Sequence, residues 1–348
     1  MGSDKVILVT GVDGFWGAKT AKRLCLERGF NVIGLAKKPP FLDIEGLDYV
    51  DVGLDNPLLA EFLRSEDVST ICHMAFGDLC SVNDAKRASI ASGAKRILEV
   101  GRQAGVDQIV IRSSTTVYGA HPDNPAVLTE SMPLRGSQNS KYSRYWLETE
   151  SFVNEARQAD SQMSIAVLRF ANIVGSKVNT PFTRFLNQKS PRVLLGFDPL
   201  VQIIHDKDVI EAVAFAALQN VSGDFNIAPH GVMPLSRIMR ILRKIPHPIF
   251  HRLVDMNTRF AGRAKCPRKE QASIEWDYLR YSFVADTAKM QTIMGFLPSI
   301  EPVDALLESA GRKSFDSVPA EHETVPDDVS HVRELMRKRK QERTGGIR

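Results

Sequence analysis

Lys5-Val6-Ile7-Leu8-Val9-Thr10-Gly11-Val12-Asp13-Gly14-Phe15-Trp16-Gly17 is the stretch whose reading decides the fold. Its first six residues are an apolar run closed by glycine, the pattern of a parallel strand buried on both faces. A helix follows over about 14–28, with Gly29 as its expected C-terminal cap. Each glycine between has a separate task. Gly11 permits a tight turn, Gly14 lets the backbone approach a pyrophosphate, and Gly17 allows close helix–strand packing. The phosphates then meet free N–H groups and the positive end of the helix dipole. Three such glycines alone are a weak signal; between a strand and a helix they are a specific sign of dinucleotide binding.

Working outward, strands are expected at 31–36, 48–52, 70–74, 108–113 and 165–171. Helices are expected at 57–64, 84–104 and 140–159. This alternation predicts βαβ units and a doubly wound α/β fold, a parallel sheet covered on both faces. After Gly175 the pattern loosens, then resumes with a strand at 201–204, a helix at 206–218 and a strand at 224–228. The dinucleotide-binding lobe is therefore read as 1–175, completed by 201–230. A smaller, mainly α substrate lobe is read from 176–200 and 231–312. Residues 313–348 read as a linker and charged tail, with a short helix at 327–343.

The chain has 348 residues, 43% hydrophobic and 25% charged, the make-up of a globular protein with more than one minimal core. No apolar stretch approaches the roughly 18 residues of a membrane-spanning helix, and no signal peptide is visible, so a cytoplasmic location is expected. The cysteines Cys25, Cys72, Cys80 and Cys266 form no C-x-x-C pair and read as reduced packing residues. The eight histidines show no metal-ligand spacing, so no metal is expected. The net charge of +4 is modest, and the run Arg337-Lys338-Arg339-Lys340 reads as a solvated face. A small-molecule substrate is the expected partner, not nucleic acid. The stretch 245–254 followed by Arg259, Arg263, Lys265, Arg268 and Lys269 reads as a lid over the substrate cleft. It is also compatible with peripheral contact on an anionic membrane.

NAD binding usually places an acid at the end of the second strand, to bond the adenosine ribose. Here that residue is Ala36, followed by Lys37 and Lys38, which tilts the expectation slightly from NAD towards the 2′-phosphate of NADP. Asp13 in the glycine turn opposes that phosphate unless Lys37 pairs with it.

Further motifs carry a family resemblance. They are Asp51-Val52, His73-Met74-Ala75, Ser113-Ser114-Thr115-Thr116-Val117-Tyr118-Gly119, Leu168-Arg169-Phe170-Ala171-Asn172, His205-Asp206-Lys207-Asp208 and Gly295-Phe296-Leu297-Pro298. Together with the glycine turn, and at this spacing over about 5–312, the chain resembles the extended short-chain dehydrogenase/reductases, most of all their sugar-nucleotide epimerase/dehydratase branch. The resemblance implies that Asp51 and Val52 hold the adenine and that Ala75 lines the pyrophosphate. Ser114 would bond the reacting oxygen, with Tyr142 as the proton donor or acceptor. It implies a cofactor set of Gly11, Asp13, Gly14, Phe15, Trp16, Gly17, Lys37, Asp51, Val52, Ala75, Tyr142 and Phe170, and substrate contacts at Thr115, Asn172 and Arg184. Helices 84–104 and 140–159 would form a homodimer interface.

The family's tyrosine works because a lysine four residues later lowers its pKa from near 10. In Tyr142-Ser143-Arg144-Tyr145-Trp146 that lysine is a tryptophan. Lys141 and Arg144 lie on other helix faces. Ile90 and Ala94 replace a family Asn and Thr, and Val201 stands where an arginine often grips a substrate diphosphate. Three readings follow: an NAD(P)-dependent oxidoreductase or epimerase slowed by the loss or using another cation of the fold, a non-catalytic cofactor-bound scaffold or sensor, and a reductase of an apolar lipid or terpenoid carbonyl.

Overall fold

The computed structural model describes residues 5–76, 79–80, 84–137, 140–159, 162–250 and 274–311. In chain order these form β1 (Lys5–Thr10), α1 (Phe15–Leu24), β2 (Phe30–Ala36), β3 (Leu47–Asp51), α2 (Leu59–Ser65), β4 (Val68–His73), α3 (Asp84–Ala104) and β5 (Gln108–Ser114). After a 3-10 turn at Thr115–Tyr118 come α4 (Lys141–Ala159), β6 (Ser164–Phe170), β7 (Asn172–Val174), α5 (Pro181–Leu186), β8 (Arg192–Leu194), β9 (Leu200–Val201) and β10 (Ile203–His205). Then follow α6 (Asp206–Leu218), β11 (Gly223–Ile227), β12 (Met233–Pro234), α7 (Leu235–Ile241), β13 (His247–Ile249), a 3-10 turn at Trp276–Leu279, a π turn at Met290–Met294 and α8 (Pro302–Ser309).

The main sheet has seven strands in the order β11-β6-β5-β4-β1-β2-β3. Every pairing in it is parallel, as the strand–helix alternation predicts. Alternate residues of each strand feed two separate cores. Ile7, Val9, Val110 and Leu168 pack with Ala18, Leu24, Val209 and Val213 on one face. Leu8, Ile71, Ile109 and Ile111 pack with Leu59, Leu63, Ile97 and Leu98 on the other. Burial on both sides explains why these strands read as continuous apolar runs. A third cluster joins Phe182, Phe185, Leu194, Val201, Met233, Ile238 and Leu306, all within the region read as the substrate lobe or beside it.

Two details differ from the sequence reading. α1 ends at Leu24 with Cys25 as its C-cap. The chain leaves the helix through tight turns, Leu26 and Glu27 N–H donating to the Arg23 and Leu24 carbonyls. Gly29, read as the helix cap, instead turns the chain into β2 with φ of +82°. The region from 233 onward carries only short helical pieces among its described residues, interleaved with β12 and β13. The described start of the expected lid forms β13, paired with β8; residues 251–254, the basic cluster, Cys266 and the expected helix at 327–343 lie outside the described residues. Among the described residues no helix is long and apolar enough to cross a membrane.

The glycine turn is packed so closely that two of its positions admit no side chain. A Cβ on Gly17 would sit 2.2 Å from the carbonyl oxygen of Gly11. A Cβ on Gly11, whose φ is +70°, would sit 2.6 Å from the Cα of Ala75. Gly14 is roomier, its nearest neighbour being the Gly11 carbonyl oxygen at 3.4 Å. Gly17→Ala is therefore expected to destabilise by about 1–3 kcal/mol, the range for overpacking, read as a lower denaturant midpoint with unchanged slope.

Candidate active site

The strand order reverses between β1 and β4, so a crevice opens beyond their C-terminal ends. Thr10 and His73, which end these strands, are joined by a 3.0 Å hydrogen bond between Oγ1 and Nδ1. The same Thr10 oxygen accepts the Met74 N–H at 3.1 Å. Burial pushes the His73 imidazole down to about 4, so it is neutral and structural. Above this link lies the glycine turn. Gly14 is the N-cap of α1 without a side-chain cap bond, and the first helical turn carries no acidic residue. Its free N–H groups and the room over Gly14 fit the phosphates of a dinucleotide.

At the outer end of β2, Tyr49 Oη donates to the Ala36 carbonyl at 3.1 Å. Its phenol is held above the ordinary value by burial and by the charges of Asp51 and Asp13, which places both carboxylates near this end. Lys37 does not pair with Asp13. It pairs with Asp55 at 3.1 Å, both side chains exposed. Val52 packs at the edge of the second core.

The end of β5 opens onto a cleft of about 460 Å³ lined by Ser114, Thr116, Tyr142, Asn172, Phe182, Glu275 and Tyr278, among others. Ser114 Oγ accepts the N–H of Thr116 at 3.3 Å and its hydroxyl at 3.1 Å. Tyr278 closes one side, its Oη donating to the Thr116 carbonyl at 3.0 Å, and Ser143 Oγ donates to Glu275 at 3.3 Å. Removal from water holds the Tyr142 phenol above its ordinary value; Arg112 opposes this, with smaller help from Trp146 and Ser114.

Of the residues read as substrate contacts, only Asn172 lines the cleft, its amide donating to the Gln202 carbonyl at 3.0 Å. Thr115 is buried at the start of the 3-10 turn, and Thr116 takes its place at the wall. Arg184 Nε donates to Asn179 Oδ1 at 2.6 Å on α5, away from this wall. Phe170 is wholly buried in the first core. Val201 is buried in the third core, and the described residues lining the cleft include no lysine or arginine.

α4 carries Tyr142 and is anchored by Glu150. That carboxylate receives Arg169 Nη2 at 2.6 Å, Arg169 Nε at 3.0 Å and Ser113 Oγ at 2.6 Å. Trp146 fills the lysine position and is buried, its ring 6.0 Å from Tyr142, 4.8 Å from Tyr145 and 5.8 Å from Phe76. A second pocket also touches Tyr142 and is lined by Trp16, Arg112, Trp146 and Thr180 among others. Arg112 escaped the sequence reading, although a lone arginine in the apolar run Ile109-Val110-Ile111-Arg112 is a visible signal. Thr116 stood inside a quoted motif, but the contact was read onto its neighbour Thr115; Glu275 and Tyr278 escaped the reading for want of any local pattern.

A family model described as the NAD dependent epimerase/dehydratase family matches residues 7–228. The chain belongs to this family. An uncharacterized protein of Mycobacterium tuberculosis is 27% identical over 312 residues, covering 86% of this chain and 82% of that one. The UDP-glucose 4-epimerase of Yersinia pestis is 29% identical over 210 residues, 56% of each chain. Among solved structures, MoeE5 in complex with UDP-glucose and NAD superposes with a TM-score of 0.65 at 19% identity, over 88% of this chain and 97% of that one. The UDP-glucose 4-epimerase of Thermotoga maritima with UDP-glucose gives 0.64 at 18% identity, with 88% and 97% covered.

Glu150→Ala leaves the buried Arg169 guanidinium with Asp224 at 3.2 Å as its remaining carboxylate, beside the neutral Tyr118 hydroxyl and Glu130 carbonyl. The expected loss is about 3 kcal/mol, the lower part of the range for breaking a buried pair. Replacing both Glu150 and Arg169 by methionine should cost less than this single change in a denaturant melt.

Proposed function

We propose that the protein binds NAD over the glycine turn and uses Tyr142 and Ser114 to interconvert a hydroxyl and a carbonyl on a sugar-nucleotide-like substrate. The observation that carries this reading is that Ser114 and Tyr142 line one cleft beside the strand-order reversal. The bound dinucleotide would supply the hydride acceptor and donor. Ser114 Oγ donates a hydrogen bond to the reacting oxygen. Tyr142 Oη takes the hydroxyl proton as the carbonyl forms and returns it in the reverse direction. The epimerases among the relatives, and the UDP-glucose and NAD named with the superposed structures, support the substrate and cofactor classes.

The tilt towards NADP rested on the missing acid at Ala36 and the lysines that follow it, Lys37 and Lys38. With Lys37 paired to Asp55 and two carboxylates near the end of β2, NAD suits this end better than a 2′-phosphate does. One observation favours a second reading of the substrate. The described cleft wall offers Glu275 and no cation, so it suits a substrate with less negative charge than a diphosphate. An apolar carbonyl compound is the runner-up.

Calorimetric titration should show NAD binding more tightly than NADP, by about 1–2 kcal/mol for one unfavourable charge contact, and Asp13→Asn should narrow the gap. Equal affinities in the parent protein would exclude that assignment. Gly14→Val should abolish binding of both dinucleotides while leaving the protein folded. With UDP-glucose and NAD supplied, epimerised product or reduced nicotinamide should appear, falling about 100-fold or more in Tyr142→Phe. Activity unchanged in Tyr142→Phe would sink the assignment of that residue. Nucleotide binding without turnover of either substrate class would favour the scaffold reading.

A further inference from the structure

Alternation along β5 sets Val110, Arg112 and Ser114 on one face of the sheet. Arg112 therefore rises on the same side as the serine of the proposed chemistry, one residue pair deeper. Its side chain is 4% exposed. Its Cζ lies 4.5 Å from the ring centre of Trp16, 4.6 Å from that of Phe76 and 5.2 Å from that of Trp146. Three elements thus converge on one guanidinium: the glycine turn, the segment after β4, and α4.

Among the described residues the charge has no ordinary partner: its Nε–H finds no acceptor there, and no carboxylate pairs with it. The contrast with Arg169 is direct, since that buried arginine is saturated by Glu150, Tyr118 and the Glu130 carbonyl. Aromatic faces offset only part of what a buried cation loses in leaving water. A methionine would fill the same cage without that loss, so packing does not account for an arginine here. What the charge does face is the cavity it shares with Tyr142 and Trp146.

We infer that Arg112 supplies the positive charge that a lysine at position 146 would have brought to Tyr142, carried on the neighbouring strand instead of on the helix. The inference rests on the reading of Tyr142 as the proton-moving group. Trp146 then has a positive role: its ring contacts the phenol on one side and the guanidinium on the other. The groups facing Tyr142 support this. Cys80 comes from the segment after β4, Ser114 from β5, Trp146 from α4, and Tyr278 from the 3-10 turn. Glu275 lies across the cleft. Among these described neighbours Arg112 is the cation, and it is the largest influence holding the phenol down against burial.

Tyr142 can be followed without any ligand, through tyrosines labelled with carbon-13 at the ring Cζ. Its resonance is the one missing from Tyr142→Phe. Arg112→Met should raise the titration midpoint of that resonance by roughly one pH unit or more, the range for losing a nearby opposite charge. Arg112→Lys should stay near the parent value, and Arg112→Met with Trp146→Lys should return towards it. Arg112→Gln, neutral but still polar, serves if the methionine variant fails to fold. A structural role alone would change melting temperature and leave the midpoint in place. The same midpoint with and without the charge, or a parent resonance that does not move before alkaline unfolding, overturns the inference. No nucleotide enters this measurement, so its failure is separable from failure of the dinucleotide reading.

Discussion

The bidentate contact between Arg169 and Glu150 joins β6 to α4 inside the protein, where neither charge reaches water. Ser113 of β5 completes it through the same carboxylate. One helical turn back from this anchor is Trp146, and two turns back is Tyr142. The register of α4 on the sheet, and hence the distance from phenol to serine, follows from a charge that cannot leave its partner without great cost. Asp224 and the Tyr118 hydroxyl extend the link to β11 and the 3-10 turn. The cleft wall and its supporting strands therefore form one connected polar frame within two apolar cores.

How legible this was depends on the range of the interaction involved. The glycine turn is local, and its three positions behave as the spacing says: Gly11 and Gly17 are sealed by backbone contacts, and Gly14 is left with room. The strands were legible because double burial writes a continuous apolar run. Long-range contacts leave no such trace. Lys37 choosing Asp55 over Asp13, Tyr278 closing a cleft from more than a hundred residues away, and Arg184 turning to Asn179 are all decided by packing between distant segments. Phe170 shows the opposite limit. Its motif was visible, but the side chain ends wholly in the core, so a motif position does not by itself mean a contact.

Trp146 changes meaning once its surroundings are known. Read along the helix it is an absence, a lysine position without its lysine. In the fold it is one wall of an aromatic cage whose other walls come from Trp16 and Phe76. The two unusual residues, a tryptophan on the helix and an arginine on the strand, fit each other in size and in charge. Each completes the other's surroundings: the indole adds a third face to the buried cation, and the cation fills the space between the indole, Trp16 and Phe76.

That exchange alters what kind of device the site is. An ammonium group can hand its proton onward and take up another, so a lysine is both a charge and a link in a relay. A guanidinium keeps its proton under all working conditions. Arg112 is a fixed field and not a conductor. On the proposed reading, a proton gathered at Tyr142 would leave along the hydroxyls of Ser114 and Thr116 or through the open mouth of the cleft. Traffic that a lysine would carry inward is thereby turned outward, towards solvent.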